Sequence, residues 1–248
     1  MEKLKRDSAI PLYAQLEDIL KSNISNGYWK DNQMIPSENE LAKTYGISRV
    51  TVRAVINSLA NDGLLYRVQG KGTFVSKAKL EMYGPAWGGV SRQLILAGKN
   101  ISTDILDYSV TEATEGISRK LNISRESPLR YICRLRYADN EPISIHRTWI
   151  PYHLCEDLTV NDVSSKQLCD VMEQKYGLHS RSIKESLEVV PATQFEAKLL
   201  NIEVGAPVIL MEGLGFDKNN RPYQLAKIVF SGDRVKLKFD YDNVNMLE

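Results

Sequence analysis

Residues 36–65 read PSENELAKTYGISRVTVRAVINSLANDGLL, and this stretch decides the fold of the first part of the chain. Ser37 and Glu40 have capping-box spacing, in which hydroxyl and carboxylate satisfy each other's orphan backbone N–H groups. Gly46 supplies the left-handed residue that ends such a helix after about two turns. Ser48 then caps a second helix in which Val52, Val55, Ile56 and Leu59 share one face, Arg49 and Arg53 share another, and Gly63 is the stop. A short helix, a glycine-containing turn and a helix with a polar, basic first turn form the helix-turn-helix layout, whose second helix enters the DNA major groove.

Upstream, Pro11 suits the first turn of a helix. Leu12, Leu16, Ile19, Leu20 and Ile24 then recur at 3.6-residue spacing until Gly27. Downstream, the β-prone runs LLYRV and TFV flank QGKG, residues 69–72, which reads as a hairpin wing whose glycines tolerate positive φ.

Together PLYAQLEDIL, the 36–65 stretch and GKGTFV resemble the winged-helix domain of the GntR family of bacterial transcription regulators. The resemblance implies that Asn39, Arg49, Thr51 and Arg53 lie at the DNA, with a wing of Gln69, Gly70, Lys71, Gly72 and Thr73 beside them. Asn39 departs from the Arg that some members carry. From the residues themselves, Arg49 or Arg53 can pair bidentately with guanine, worth about 1–3 kcal/mol of discrimination, while Ser37, Ser48, Thr51 and Lys71 suit phosphate contacts that fix register.

The charge total at first argues otherwise. Thirty-two basic residues against 31 acidic ones leave a net +1 over 248 residues, little for a partner that binds phosphates. The charges are segregated, however. Residues 1–77 hold 11 Lys/Arg against 8 Asp/Glu, and between Lys43 and Lys77 six basic residues face Asp62 alone.

Composition excludes the fibrous, disordered and membrane classes: 43% of residues are hydrophobic, 25% are charged, and no stretch approaches a membrane span. MEKLKRDS has no apolar stretch behind it, so a cytoplasmic protein is expected. Cys133, Cys155 and Cys169 have no metal-ligand spacing and read as reduced thiols. His146, His153 and His179 do not suggest three or four convergent ligands, so neither metal nor cofactor is expected.

Residues 78–90, within SKAKLEMYGPAWGGV, carry three Gly and one Pro and read as the linker between a 1–77 DNA-binding domain and a 91–248 domain, with Tyr83 and Trp87 suggesting partial docking. In the second domain VSRQLILAG, SSKQLCDVMEQKYG and FEAKLL read as helices. PLRYICRLRYA, SIHRTWI, SIKESLEVV, APVILMEGLGFD and YQLAKIVFS read as strands, giving an α+β fold with an antiparallel sheet.

CRLRYADNEPISIHRTWIP, LEVVPATQFEAKLLNIEVGAPVI, FDKNNRPYQ and SGDR resemble the UTRA domain, the effector-sensing module of HutC-like GntR regulators. The resemblance implies that Arg134 and Arg136 clamp an anionic ligand. Residues two apart on a strand share a face, and two guanidiniums offer planar, bidentate recognition of phosphate or carboxylate. It also brings His146, Gln167, Gln224 and Phe230 to pocket positions where many relatives carry Glu, Ser, Glu and Tyr, with Ser91, Tyr152 and Glu185 as further candidates. Loss of two carboxylates points to a ligand that is more anionic, or that lacks the amino and hydroxyl groups those carboxylates would bind, because a buried carboxylate facing an anion costs several kcal/mol.

The expected function is a ligand-responsive transcription regulator, most simply a repressor: a homodimer on a pseudo-palindromic operator, modulated by a small anionic metabolite such as a sugar phosphate. A constitutive dimer without effector is one alternative. An enzyme like chorismate lyase, whose fold UTRA domains share, is another, although residues 91–242 show no catalytic constellation.

Overall fold

The computed structural model describes residues 4–77, 79–84 and 90–239, without the side chains of Val90, Ser91 and Ser165. The chain separates into two compact units, Met1–Ala78 and Lys79–Glu248.

In the first unit α1 (Leu12–Ser25), α2 (Glu38–Tyr45) and α3 (Arg49–Asn61) are followed by β1 (Leu65–Val68) and β2 (Gly72–Val75). The capping box forms as read: Ser37 Oγ accepts from the Glu40 amide, and the Glu40 carboxylate accepts from the Ser37 amide. Gly46 closes α2 at φ 64°, and Ser48 Oγ caps α3 by accepting from the Thr51 amide. Leu16 and Leu20 of α1 pack with Leu41 of α2, Val52, Val55, Ile56 and Leu59 of α3, and Leu65 and Val75 of the wing in one apolar core. Backbone bonds from Asn32 to Val75 and from Ile35 to Thr73 lay residues 32–35 along the outer edge of β2, a pairing that no local pattern announces.

The second unit is a six-stranded antiparallel sheet in the order β4-β5-β6-β9-β8-β7, as expected for the α+β class. Its strands are β4 (Ile101–Glu112), β5 (Pro128–Ala138), β6 (Glu141–Pro151), β7 (Ser182–Pro191), β8 (Pro207–Phe216) and β9 (Pro222–Ser231). Asp139 and Asn140, both at positive φ, turn β5 into β6 where ADNEP predicts a turn. Helices α4 (Val90–Leu96), α5 (Glu115–Leu121), α6 (Val160–Ser165), α7 (Leu168–Tyr176) and α8 (Gln194–Leu200) cover the sheet.

Three features differ from the expectation. SSKQLCDVMEQKYG is not one helix: Lys166 and Gln167 are extended, so α6 ends and α7 starts afresh, and Val163 of one and Leu168, Val171 and Met172 of the other all reach the core on Ile132 and Ile150. The strand β4 escapes a period-two search because a bulge at Ile105/Asp107 shifts its phase; Ile105 stands opposite Arg134, whereas Tyr108 stands opposite Ile132. Finally, the 78–90 stretch is not all linker. Leu80–Tyr83 form β3, which pairs in parallel with β10 (Val235–Lys238) and buries Met82 with Val235 and Phe230. Four-residue strands held by a partner this remote in sequence carry no signal of their own. Trp87 lies outside the described residues.

Candidate DNA interface and buried arginine site

The recognition helix α3 presents Arg49, Val50 and Arg53 outward while Val52, Val55, Ile56 and Leu59 hold it to the core. Among the described residues the side chains of Arg49, Asn39, Gln69 and Lys71 make no hydrogen bond or ion pair, so their polar ends are free. Arg53 is held differently: its Nε donates to Glu38 Oε2 at 2.9 Å, and Arg67 of β1 donates to the other oxygen at 3.0 Å. In the wing β1 and β2 pair from Leu65 and Val75 to Val68 and Gly72, leaving Gln69, Gly70 and Lys71 at the tip and Thr73 half-buried on β2. Gly70 at φ 72° makes the turn; Gly72 at φ 139° has its missing Cβ 3.0 Å from the Met34 sulfur.

The hydroxyls expected at phosphate are partly engaged. Ser37 Oγ donates its proton to Glu40 Oε2 at 2.7 Å, so a phosphate contact there requires giving up the cap bond. Ser48 Oγ and Thr51 Oγ1 share one hydrogen bond of 2.8 Å, which leaves one of the two protons available to DNA.

On the sheet of the second unit, cross-strand pairing places side chains in rows. One row runs Thr103, Arg136, Ser144 and Phe230, and the next runs Ile105, Arg134, His146 and Ile228. Thus the strand spacing that put Arg134 and Arg136 on one face also sets His146 and Phe230 beside them, their rings in a T-shaped pair with centroids 6.3 Å apart. All four are buried, at 4%, 6%, 5% and 0% exposure. Ser144 Oγ and His146 Nε2 share a hydrogen bond of 2.9 Å.

Among the described residues neither arginine has a carboxylate partner. Arg134 Nε and Nη1 and Arg136 Nε are buried with no hydrogen-bond acceptor among the described residues. On the opposite face, by contrast, both Nη atoms of Arg147 donate to Glu196 Oε1 at 3.1 Å. Burial first, and then the neighbouring Arg136, bring the pKa of Arg134 down to about 9; burial brings Arg136 down to about 10. Both remain cations at neutral pH. Burial, with the two guanidiniums adding to it, holds His146 well below its ordinary value, so it is neutral. Gln167 is the N-cap of α7 without a side-chain bond to the helix backbone; its Oε1 accepts from Cys169 Sγ at 4.0 Å, and Cys169 interacts electrostatically with both arginines. A helix N-terminus beside two unpartnered guanidiniums is a strongly anion-favouring arrangement.

The other expected pocket residues divide. Gln224 is buried on the same face as the arginines, two rows beyond the His146 row. The guanidinium of Arg130 lies over the Tyr152 ring, 5.0 Å from its centroid, and over the Tyr108 ring at 4.6 Å. Glu185 lies on β7, four strands from β5, roughly 19 Å along the sheet at the usual strand spacing. Burial raises its pKa, and its Oε1 is buried with no hydrogen-bond partner among the described residues. The side chain of Ser91 lies outside the described residues. No sequence motif singles out Arg130, although it falls on the same alternating face as Arg134 and Arg136, and Ser144 and Thr148 on β6 are buried polar neighbours with no motif of their own. The described residues contain no convergent set of metal ligands and no helix long and apolar enough to cross a membrane.

A winged helix joined to an α+β unit with a buried, unpartnered cationic cluster defines a DNA-binding transcription regulator. Residues 12–75 match the model of the bacterial regulatory proteins of the gntR family, and residues 96–236 match the UTRA domain. The chain belongs to the GntR family and carries a UTRA domain. It is 34% identical over 93% of its length, and 95% of the relative's, to the HTH-type transcriptional repressor NagR of Bacillus subtilis. To the Shigella flexneri protein named "Probable fructoselysine utilization operon transcriptional repressor" it is 31% identical, covering 92% and 94%. Among solved structures, PhnF from Mycobacterium smegmatis matches with a TM-score of 0.64 at 19% identity, covering 94% of this chain and 99% of that one, which shows the shared fold. Family and relatives are regulators, not enzymes.

Proposed function

We propose that this regulator is a repressor whose hold on its operator is modulated by a small anionic metabolite bound at Arg134 and Arg136. The observation that carries the reading is the pair of buried guanidiniums with three nitrogens lacking acceptors, in a unit where Arg147 has its carboxylate. Leaving buried charge unpartnered costs several kcal/mol, and a bound phosphate or carboxylate removes that cost. His146 stands beside Arg134 where a carboxylate would repel the same anion, and Gln224 is buried on the same face two rows farther on. The relatives named repressors, one of them for a fructoselysine utilization operon, favour repression and a sugar-derived ligand such as a sugar phosphate.

Residues 1–77 would read DNA and residues 91–248 would sense the ligand and dimerise, so that two winged helices meet successive major grooves of a pseudo-palindromic operator. The ligand alters DNA affinity only by its unequal affinity for two arrangements of the protein. Thermal-shift screening tests the site: sugar phosphates and carboxylates should raise the melting temperature, and a response confined to neutral or cationic metabolites would sink the reading. Footprinting with and without the active compounds tests the consequence for operator binding.

A further inference from the structure

The segment before α1 is built onto the helix-turn-helix. Leu4 packs against the apolar core of the first unit. Gln15 of α1 clasps the backbone of Lys5 from both sides, its Oε1 accepting from the Lys5 amide at 2.9 Å and its Nε2 donating to the Lys5 carbonyl at 3.0 Å. Arg6 Nη2 then donates to the carbonyl of Gly46, the residue in the turn between α2 and α3, at 3.0 Å. The missing Cβ of Gly46 would stand 3.4 Å from that same Nη2, so a bare glycine lets the guanidinium lie against the turn.

This fixes the Arg6 guanidinium beside the start of the recognition helix and holds the backbone of Lys5 next to it. Ser48 and Arg49 follow Gly46 by two and three residues, and the start of α3 is the part of the motif that approaches base edges between two rows of phosphate. Arg6 uses one donor on Gly46. Its other donors, and the ammonium of Lys5, have no partner among the described residues, and both side chains are exposed. Asp7 follows without forming an ion pair to either. A flexible, solvated tail needs neither a double backbone clasp nor a guanidinium docked on the DNA-reading turn.

We infer that Leu4–Arg6 is a pre-ordered DNA-contacting arm in which Lys5 and Arg6 grip the phosphate backbone flanking the bases read by α3. The contact is to phosphate, because two cations held by backbone bonds at the rim of the motif carry position and charge but no pattern of donors aimed at a base. It adds basic residues outside the Lys43–Lys77 stretch to the interface.

The test uses full-length protein and a duplex that the wild type selects from a random-sequence pool, with binding measured by fluorescence anisotropy from 50 to 200 mM salt. Each neutralised phosphate adds about 0.9 to the slope of log affinity against log salt. Lys5→Gln, at a side chain with no hydrogen bond or ion pair among the described residues, and Arg6→Gln should each lower that slope by about this amount for every phosphate the wild-type side chain grips, while Arg6→Lys keeps most of it. Arg125→Ala, which removes an exposed cation of the second unit, should leave the slope unchanged, and all variants should select the same sequence. Unchanged slopes for both glutamine variants overturn the inference. So does weaker binding by Arg6→Gln at constant slope, which would make the arm a brace for the turn, or a changed selected sequence, which would make it a reader of bases.

Discussion

Arg53 Nε lies 2.9 Å from Glu38 Oε2, and Arg67 Nη2 lies 3.0 Å from the carboxylate's other oxygen. One acidic side chain at the start of α2 therefore ties the recognition helix to the first strand of the wing. Because Glu38 engages Arg53 through Nε, the terminal edge of that guanidinium, Nη1 and Nη2, remains open for guanine or phosphate. Partly exposed pairs of this kind add little to stability, up to about 1 kcal/mol, so their value lies in orientation.

Glu38→Gln should consequently leave the melting temperature nearly unchanged and lower the ratio of operator to non-specific affinity. Freeing Arg53 and Arg67 and removing a negative charge near DNA strengthens phosphate attraction and loosens base reading together. Competition binding against random duplex measures the ratio; an unchanged ratio would show that Arg53 needs no positioning.

Arg134→Ala combined with Arg136→Ala should abolish the response to the anionic effector while leaving operator binding intact. No change in response would favour a passive dimer. A second variant reads the energetics: Arg134→Met, similar in reach and uncharged, should stabilise the ligand-free protein by about 1 kcal/mol or more, since it removes an uncompensated buried cation. Urea denaturation decides this, and a loss of stability would mean the guanidinium already has an adequate partner.

The neutral, buried His146 makes stability depend on pH in a defined direction. Its folded pKa lies well below 6.5, so as pH falls through about 6.5 the unfolded chain takes up a proton that the folded protein refuses. Stability from this group is full above that value and declines below it, by up to about 1.4 kcal/mol per pH unit. Anion binding shields the two arginines and raises the His146 pKa, so effector affinity should rise as pH falls. His146→Gln should flatten both trends between pH 7.5 and 5.5; trends of undiminished size in the variant would place the titrating group elsewhere.

Ser37→Ala removes the hydroxyl half of the capping box on α2, leaving the backbone amide of that position to the Glu40 carboxylate, and should cost the first unit about 0.5–2 kcal/mol. Chemical denaturation followed at Trp29, buried in the core of that unit, is the readout. A negligible loss would show that tertiary packing alone holds the helix start.

The winged helix is almost wholly legible in the sequence because its signals are local: Ser37 with Glu40, Gly46, Ser48 and the QGKG tip act on neighbours within a few residues. The six strands of the sheet are less so. The longest, Ile101–Glu112, hides because one bulge resets its alternation, and β3 and β10 hide because each is meaningful only through the other. In the pocket, period two puts Arg134 and Arg136 on one face and extends to Arg130; no spacing says that His146 pairs with Arg134 or that Glu185 lies four strands away.

By itself, then, the sequence determined a DNA-reading motif, an α+β partner and two arginines sharing a strand face, since caps, turns and periodicity are written within short windows. Tertiary structure alone decided that these arginines are buried without a carboxylate while Arg147 is given Glu196, and that Arg6 reaches Gly46 forty residues on. Burial and cross-strand register are sums over distant segments, and it is those sums that leave two charged residues enclosed with unmet hydrogen-bond donors.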